Sequence, residues 1–255
     1  MPIDLAEDSF RVLTTDLLAT GYTRLARLLE IRALETGAFA VDFSDSQLVV
    51  LRRRDHAFAT LTSCFDLFVP QSTVLVRALN RLGADMAGPI DPAVFMRKLL
   101  YQSSPDFRHY FIGESEESSN RLRERMLRRN PDIDFVGALH GTCSASGYLQ
   151  PPEFHDFVLE DLRTKEPHFI WIGVEPAAQH PLIANLKRKL RSGVLLAMGS
   201  AFDVNAGIRK EASPFMQRHH LAWLHDLLTD HTHFLGTTVK YDVLFLLHLL
   251  RDSRS

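Results

Sequence analysis

Short apolar runs alternate along the chain with longer stretches in which apolar positions recur every three to four residues. Phe10–Leu13, Ala38–Phe43, Asp66–Val69, His109–Ile112, Ile133–Val136, His168–Ile172 and Val194–Met198 read as strands. Between them, Thr23–Thr36 places Leu25, Leu28, Leu29 and Ile31 at helical spacing. Ser72–Leu82 reads as a helix with Ser72 or Gln71 as its cap. Glu116–Arg129, Pro152–Arg163 and Gln179–Arg191 supply further helices, and Gly113, Gly137, Gly173 and Gly199 mark turns after four of the strands.

Strand, glycine turn, helix, strand predicts an α/β fold, a Rossmann-like, mostly parallel sheet with helices on both faces. Ligands of such sheets bind beyond the carboxyl ends of the strands. The residues to watch are therefore Asp45, Gln71, Gly113–Ser115, Gly137–Ser144, Gly173–Gln179 and Gly199–Gly207. After Gly207 the pattern changes. Ser213–Thr229 and Phe234–Leu250 read as two helices with no strand between them. The expected organisation is a sheet domain over 1–212 and a C-terminal helical appendage over 213–255.

Composition narrows the function classes. With 255 residues, 45% hydrophobic and 24% charged, the chain has ordinary globular values, which exclude disordered and coiled-coil readings. Lys+Arg is 29 and Asp+Glu is 31, so no net positive charge draws nucleic acid. Cys64 and Cys143 are too few for a disulfide framework. Asp4, Glu7 and Asp8 stand where a signal peptide would carry bases. No run reaches the roughly 18 apolar residues of a membrane span. These features point to a cytoplasmic protein, peripheral to the membrane at most.

Several motifs carry candidate chemistry. Gly199-Ser-Ala-Phe-Asp-Val-Asn-Ala-Gly207 follows a strand, and its small residues let a ligand approach the backbone. Asp203 and Asn205 supply polar groups there, without phosphate-loop or dinucleotide spacing. Glu175 and Gln179 sit in a second such loop. His140 and Cys143 are close in sequence, but that spacing does not establish a nucleophile pair. Six of the twelve histidines (His219, His220, His225, His231, His233 and His248) fall in the appendage. His231-x-His233 is too sparse for a metal site, so neither metal nor cofactor is expected. Arg52–Arg54, Arg121–Arg129 and Lys187–Arg191 read as solvated helix faces, with a phosphate or anionic-lipid role as the alternative.

The C-terminal third is more specific. A strand leads into Gly199-Ser-Ala-Phe-Asp-Val-Asn-Ala-Gly207, then Ala212, Phe215-Met-Gln217 and Leu221-Ala-Trp-Leu224. This order resembles the WecG/TagA/CpsF family of bacterial glycosyltransferases, with its G-x-x-F-D-x-x-A-G loop, W-M-Q turn and L-E-W-L helix. Gly173 through Gln179 occupies the place of the family's G-L-G-x-P-K-Q segment. Tyr110-Phe-Ile-Gly113, Val136-Gly137 and His140-Gly141 match its strand-glycine landmarks. The resemblance runs from about Phe10 to about Leu228.

It implies inverting, metal-independent transfer from a nucleotide diphosphate sugar, usually UDP-linked, to a polyprenyl-diphosphate-linked sugar. Cell-surface polysaccharide is the product class, and a homo-oligomer is implied. So is peripheral contact of the appendage with the inner face of the cytoplasmic membrane. On this reading Gly113, Gly137, Gly173, Glu175, Gln179, Asp203, Asn205 and Gly207 surround the nucleotide sugar, while Arg209 and Lys210 meet phosphate or acceptor.

The sequence departs from the family pattern at the chemistry. The T-x-N-A segment reads Phe43-Ser-Asp-Ser46, and the D-G that carries the family's general base reads Gln71-Ser72. Gln cannot accept a proton near neutral pH. Asp85–Asp91 lacks the family Arg, R-A-P reads Glu211-Ala-Ser213, and the L-E-W Glu reads Ala222. The appendage holds four Lys/Arg (Arg218, Lys240, Arg251, Arg254) against Asp226, Asp230, Asp242 and Asp252. Two readings follow. In one, Asp45 replaces the base and Gln71 orients substrate. In the other, catalysis is lost and the chain binds nucleotide sugar or partners as a regulatory or scaffold subunit.

Overall fold

The computed structural model describes residues 5–113, 115–140, 152–209 and 234–252. Six parallel strands form the sheet: β3 (Phe39–Ser44), β4 (Leu67–Pro70), β5 (Arg108–Gly113), β6 (Asp134–His140), β7 (Phe169–Gly173) and β8 (Val194–Ala197). Their order is β4-β3-β8-β7-β5-β6. The interior strands are buried on both faces, which is why β7 reads Phe-Ile-Trp-Ile-Gly without alternation, whereas the edge strand β6 is only partly buried.

Two apolar layers sandwich the sheet. One is built from α2 (Ser46–Arg54), α4 (Thr73–Arg81), α7 (Pro152–Lys165) and α8 (Pro176–Lys189), packed on Ala40, Ile112, Ile170, Ile172 and Leu195. The other is built from α1 (Tyr22–Ala33), α5 (Pro92–Gln102), α6 (Glu116–Arg129) and α9 (Ala201–Ala206), packed on Val41, Phe43, Phe111, Trp171 and Leu196. The short α3 (His56–Leu61) follows α2. Helices that follow neighbouring strands thus go to opposite faces: α6 after β5, α8 after β7. That divergence opens a crevice at the carboxyl ends of the strands, the usual ligand position in such sheets.

Local caps fix where helices start. Asp45, Asp55, Ser72, Asp91 and Ser115 each accept from a backbone N–H of the first turn. Ser72, not Gln71, caps α4.

Several sequence expectations need correction. Phe10–Leu13 does not join the sheet. β1 (Ser9–Val12) and β2 (Thr15–Leu18) form an antiparallel hairpin through the Leu13–Thr14 turn, packed beside β4. Helix α5 fills a stretch to which the sequence pattern assigned no element, because Asp91 and Pro92 start it and Phe95, Met96, Leu99 and Leu100 bury one face. β6 does not end before Gly137. It runs on to His140, paired with β5 through Gly113, and Gly137 within it leaves room for the Tyr110 ring and Lys165, each 2.6 Å from where a Cβ would stand. The Gly199–Gly207 loop contains helix α9, closed by Gly207 in the left-handed conformation (φ 74°).

The C-terminal segment starts with π-helical turns (Phe234–Val239) and continues as α10 (Lys240–Asp252). Phe245 anchors α10 in the same core layer as α2. Ser46 Oγ donates to Asp242, and Arg53 makes a two-pronged ion pair with Asp252 at 2.6 and 2.8 Å. The expected helix over Ser213–Thr229, with Phe215–Gln217, Leu221–Leu224 and five of the six appendage histidines, lies outside the described residues. So do Lys210 and Cys143.

Candidate functional site at the carboxyl ends of the strands

The strand ends bring most of the sequence candidates to one edge of the sheet. Asp45 follows β3, Gln71 follows β4, Gly199 follows β8, and Gly173 and Gly113 end β7 and β5. Gly113 and Gly173 are direct partners across the sheet. Gly173 lacks a side chain because Phe202 of α9 lies against it, and Gly113 because Ser119 of α6 does. A Cβ at Gly173 would fall 2.2 Å from Phe202 Cδ2, and one at Gly113 would fall 3.7 Å from Phe202 Cδ1 and 2.8 Å from Ser119 Oγ. These glycines therefore seat α9 at the switch between the two faces.

Asp45 is the acid at the mouth of β3. Its side chain accepts from Leu48 N at 3.0 Å as the cap of α2. Burial pushes its proton affinity above the ordinary carboxylate range, and the charges of Asp42 and Asp242 add to that rise. The amides of Leu48 and Gln47 oppose it. A rim of the residue still meets solvent. Asp242 is also raised, by its own burial.

Gln71 is fastened to the neighbouring strand. Its backbone N–H donates to the Ser44 carbonyl at 2.8 Å and its side-chain amide to the Phe43 carbonyl at 2.7 Å. That leaves its amide oxygen for a ligand and gives it no basic function.

The loops after β7 and β8 are tied together. Gln179 is buried, and its Oε1 accepts from Gly199 N at 2.8 Å. Gly199 sits at φ 49°, where a residue without Cβ is favoured. Glu175, the residue before α8, is exposed beside this turn and makes no capping bond. Asp203 accepts from Ser118 Oγ at 2.8 Å, which fixes α9 to the first turn of α6. Its backbone carbonyl accepts from the amides of Ile208 and Arg209. Gly207 and Arg209 are exposed at the end of this turn.

Two candidates do not come to the edge. Gly137 is interior to β6. Asn205 is buried, and its amide is spent on α5: Arg97 donates to Oδ1 at 3.2 Å, and Nδ2 donates to the Ala93 carbonyl at 3.0 Å. His140, at the end of β6, lies 3.3 Å from Ser119 Oγ.

The structure also assembles polar groups that the sequence patterns did not single out. Asp42 is 3% exposed within β3, and its carboxylate meets His180 Nε2 of α8 at 2.9 Å and Ser44 Oγ at 2.8 Å. A charged residue inside the run Phe-Ala-Val-Asp-Phe was the available signal, since an unpaired buried acid is costly. Asp242 could not have been found this way, because only the docking of α10 brings it to Ser46.

Among the described residues, no group of three or more His, Cys, Asp or Glu is placed to hold a metal ion. No helix among them is long and apolar enough to cross a membrane. Two surface concavities lie away from the strand ends. One, about 890 Å³, lies along α1 and Phe107, and the other, about 320 Å³, lies between Arg54 and α10.

Comparison with known proteins fits this arrangement. Over 188 residues the chain is 22% identical to an N-acetylglucosaminyldiphosphoundecaprenol N-acetyl-beta-D-mannosaminyltransferase of Staphylococcus aureus strain NCTC 8325 / PS 47, covering 73% of this chain and 70% of the relative. The proteins of that name from strains COL and MRSA252 match to the same extent. The model of the WecG/TagA/CpsF family of glycosyl transferases matches residues 10–255. A parallel sheet with its polar loops gathered at the strand ends, and a family match that spans nearly the whole chain, place this protein in the WecG/TagA/CpsF family of glycosyltransferases.

Proposed function

We propose that this protein transfers a sugar from a UDP-linked donor to a polyprenyl-diphosphate-linked sugar in the synthesis of a bacterial cell-surface polysaccharide, with inversion and without a metal ion. The observation that carries the reading is Asp45, an acid of raised proton affinity at the mouth of β3 beside Gln71. The staphylococcal relatives are named for transfer to a diphosphoundecaprenol-linked acceptor, which supports that acceptor class.

In this mechanism Asp45 takes the proton of the acceptor hydroxyl as its oxygen attacks the anomeric carbon, while the bond from that carbon to the diphosphate breaks. Gln71, held by its amide to the Phe43 carbonyl, presents its oxygen to orient substrate. The leaving diphosphate carries the developing charge. The backbone N–H groups that open α8, together with Arg209 and Lys210, are assigned to it. Gly199 approaches the donor under the hold of Gln179, with Glu175, Asp203 and Gly207 around it. Asn205 braces α9 against α5 rather than touching the donor.

The acceptor is a lipid, and α10 supplies a surface for it. Val243, Leu246, Leu247 and Leu250 are 50, 43, 51 and 57% exposed at positions i, i+3, i+4 and i+7, on the side away from Phe245. Such a stripe suits shallow insertion into the inner face of the cytoplasmic membrane. A homo-oligomer is part of the same reading.

The test is transfer with a panel of UDP-sugars and a lipid-linked N-acetylglucosamine acceptor, with and without a chelator. Asp45→Asn is expected to lower turnover by about a hundredfold or more. The rate is expected to survive the chelator. Full turnover by Asp45→Asn overturns the assignment.

One observation favours a second reading. Gln71 occupies the family's base position and is bonded to a backbone carbonyl, so that position has no proton acceptor. A chain that binds UDP-sugar tightly but neither hydrolyses nor transfers it would be a regulatory subunit of polysaccharide assembly.

A further inference from the structure

The arginine run Arg121–Arg129 has no part in the mechanism above. On α6, Arg121 pairs with Glu117 at 2.7 Å and Arg128 with Glu124 at 3.5 Å, each with the acid four residues before it. Arg125 has no such acid. The neighbours a helix offers it, three and four residues to either side, are Leu122, Arg121, Arg128 and Arg129. Like charges at that spacing repel, so α6 itself is not stabilised by this one. Among the described residues Arg125 makes no ion pair. Its side chain instead lies against Gly207 at the end of α9. A Cβ at Gly207 would fall 2.1 Å from Arg125 Nη1, so only a glycine admits the guanidinium there. Beyond Gly207 the chain folds back, and the Ile208 and Arg209 amides both donate to the Asp203 carbonyl, at 2.9 and 3.1 Å. That turn holds Arg209, also exposed, two residues from the Arg125 contact. The acid of α9, Asp203, is taken by Ser118 Oγ. On the other flank, Arg97 of α5 donates to Asn205 Oδ1 at 3.2 Å. Arginines from α5, α6 and the chain after α9 thus meet at one short helix.

We propose that Arg125 joins Arg209 in a diphosphate subsite at the end of α9. This inference rests on the reading of the protein as a transferase between diphosphate-linked substrates. A planar guanidinium offers paired N–H groups that match phosphate oxygens, and two such groups suit a ligand with two phosphates. The place fits as well. Helix α9 starts beside Gly199, where the donor is proposed to lie, and its six residues rise about 9 Å to Gly207. The subsite is therefore within reach of a substrate held at the strand ends. The donor and the lipid-linked acceptor both carry a diphosphate, so this chemistry is common to the two. Cations beside a helix C-terminus also favour its carbonyl groups, an effect read in melting rather than in ligand affinity.

The test is calorimetric titration of the full chain with two probes, UDP and farnesyl diphosphate. Arg125→Gln is expected to weaken at least one of them by about tenfold or more. Arg125→Lys keeps the charge but not the fork, and should fall between that variant and the parent. Arg123→Gln removes an exposed arginine from another face of α6 and should bind both probes as the parent does. Loss confined to UDP gives the subsite to the donor, and loss confined to farnesyl diphosphate gives it to the acceptor. Equal affinity of Arg125→Gln and the parent for both probes overturns the proposal, whether or not its melting temperature falls. An equal loss in Arg123→Gln overturns it too, because the effect would then be a general field of positive charge. The two readings fail separately. Unmoved affinity in Arg125→Gln removes the subsite and leaves the transferase. Full turnover by Asp45→Asn removes the base and leaves the subsite. A parent protein that binds neither probe overturns both.

Discussion

Gln179 Oε1 accepts a hydrogen bond from the Gly199 amide at 2.8 Å, and that contact joins the first turn of α8 to the loop after β8. Gln179→Leu leaves the Gly199 amide without this acceptor. The expected cost is about 1–3 kcal/mol in chemical denaturation. Gln179→Glu keeps an acceptor but adds negative charge where the donor phosphates are proposed to lie. It should melt close to the parent protein and bind UDP-sugar more weakly in calorimetric titration.

Gly173 tests the seat of α9. An added Cβ falls 2.2 Å from Phe202, whose ring is 1% exposed and has no room to retreat. Gly173→Ala should therefore destabilise the fold by roughly 1–3 kcal/mol through overpacking. The variant Gly173→Ala/Phe202→Leu should recover part of that loss. If the single variant melts with the parent, Phe202 is not the constraint.

His109 makes the fold sensitive to acid. It is fully buried, with Trp171 Nε1 donating to Nδ1 at 3.1 Å and Ser103 Oγ lying 2.7 Å from Nε2. Nδ1 is thus an acceptor, and a proton placed there would face the indole N–H. Burial depresses its pKa from 6.5 to about 3, with a smaller contribution from the charge of His168. The unfolded chain takes up this proton below about pH 6.5, whereas the folded chain does so only near pH 3. Stability from this group is complete above pH 6.5 and is lost as pH falls toward 3, on the order of 5 kcal/mol in all. Urea midpoints measured from pH 7 to pH 4 should fall, and fall less steeply in His109→Gln.

The exposed face of α10 gives a membrane prediction. Leu246→Glu/Leu250→Glu places two charges on the apolar stripe and leaves Phe245 in the core. Sedimentation with anionic vesicles is expected to show at least about tenfold weaker binding, since burying each leucine contributes roughly 1.5–3 kcal/mol. Circular dichroism and melting should not change. Equal binding by the two proteins would assign the membrane contact elsewhere.

The sheet was legible because its interior strands are buried on both faces and bounded by glycine. Phe-Ile-Trp-Ile-Gly announces a central parallel strand without any alignment. Helix Glu116–Arg129 was readable to the residue, since its acids open the first turn and its arginines close the last. The hairpin Ser9–Leu18 was not, because a short strand such as Phe10–Leu13 looks alike whether it pairs in a parallel sheet or folds back on itself. Helix α5 was missed for a related reason. Its start signals, the cap Asp91 followed by Pro92, are short and stand without a preceding strand to flag them.

The site divides in the same way. Asp45, Gln71 and Gln179 were placed at the strand ends from sequence because each follows a strand or opens a helix. Asn205 looked like a ligand group for the same reason, yet it braces α5. A linear pattern gives the position of a residue along an element but not which neighbour its side chain meets.

By itself, the sequence determined the strand-and-helix grammar, the family resemblance and the absence of an acid at position 71. Those depend on local periodicity and on residues read in order. Only the tertiary structure decided that Asp42 pairs with His180, 138 residues away, that Asp242 reaches Ser46 across 196 residues, and that Phe202 fills the space left by Gly173. Such contacts form when distant elements are buried together, and burial makes an unpaired charge or an unfilled gap costly enough to select one partner.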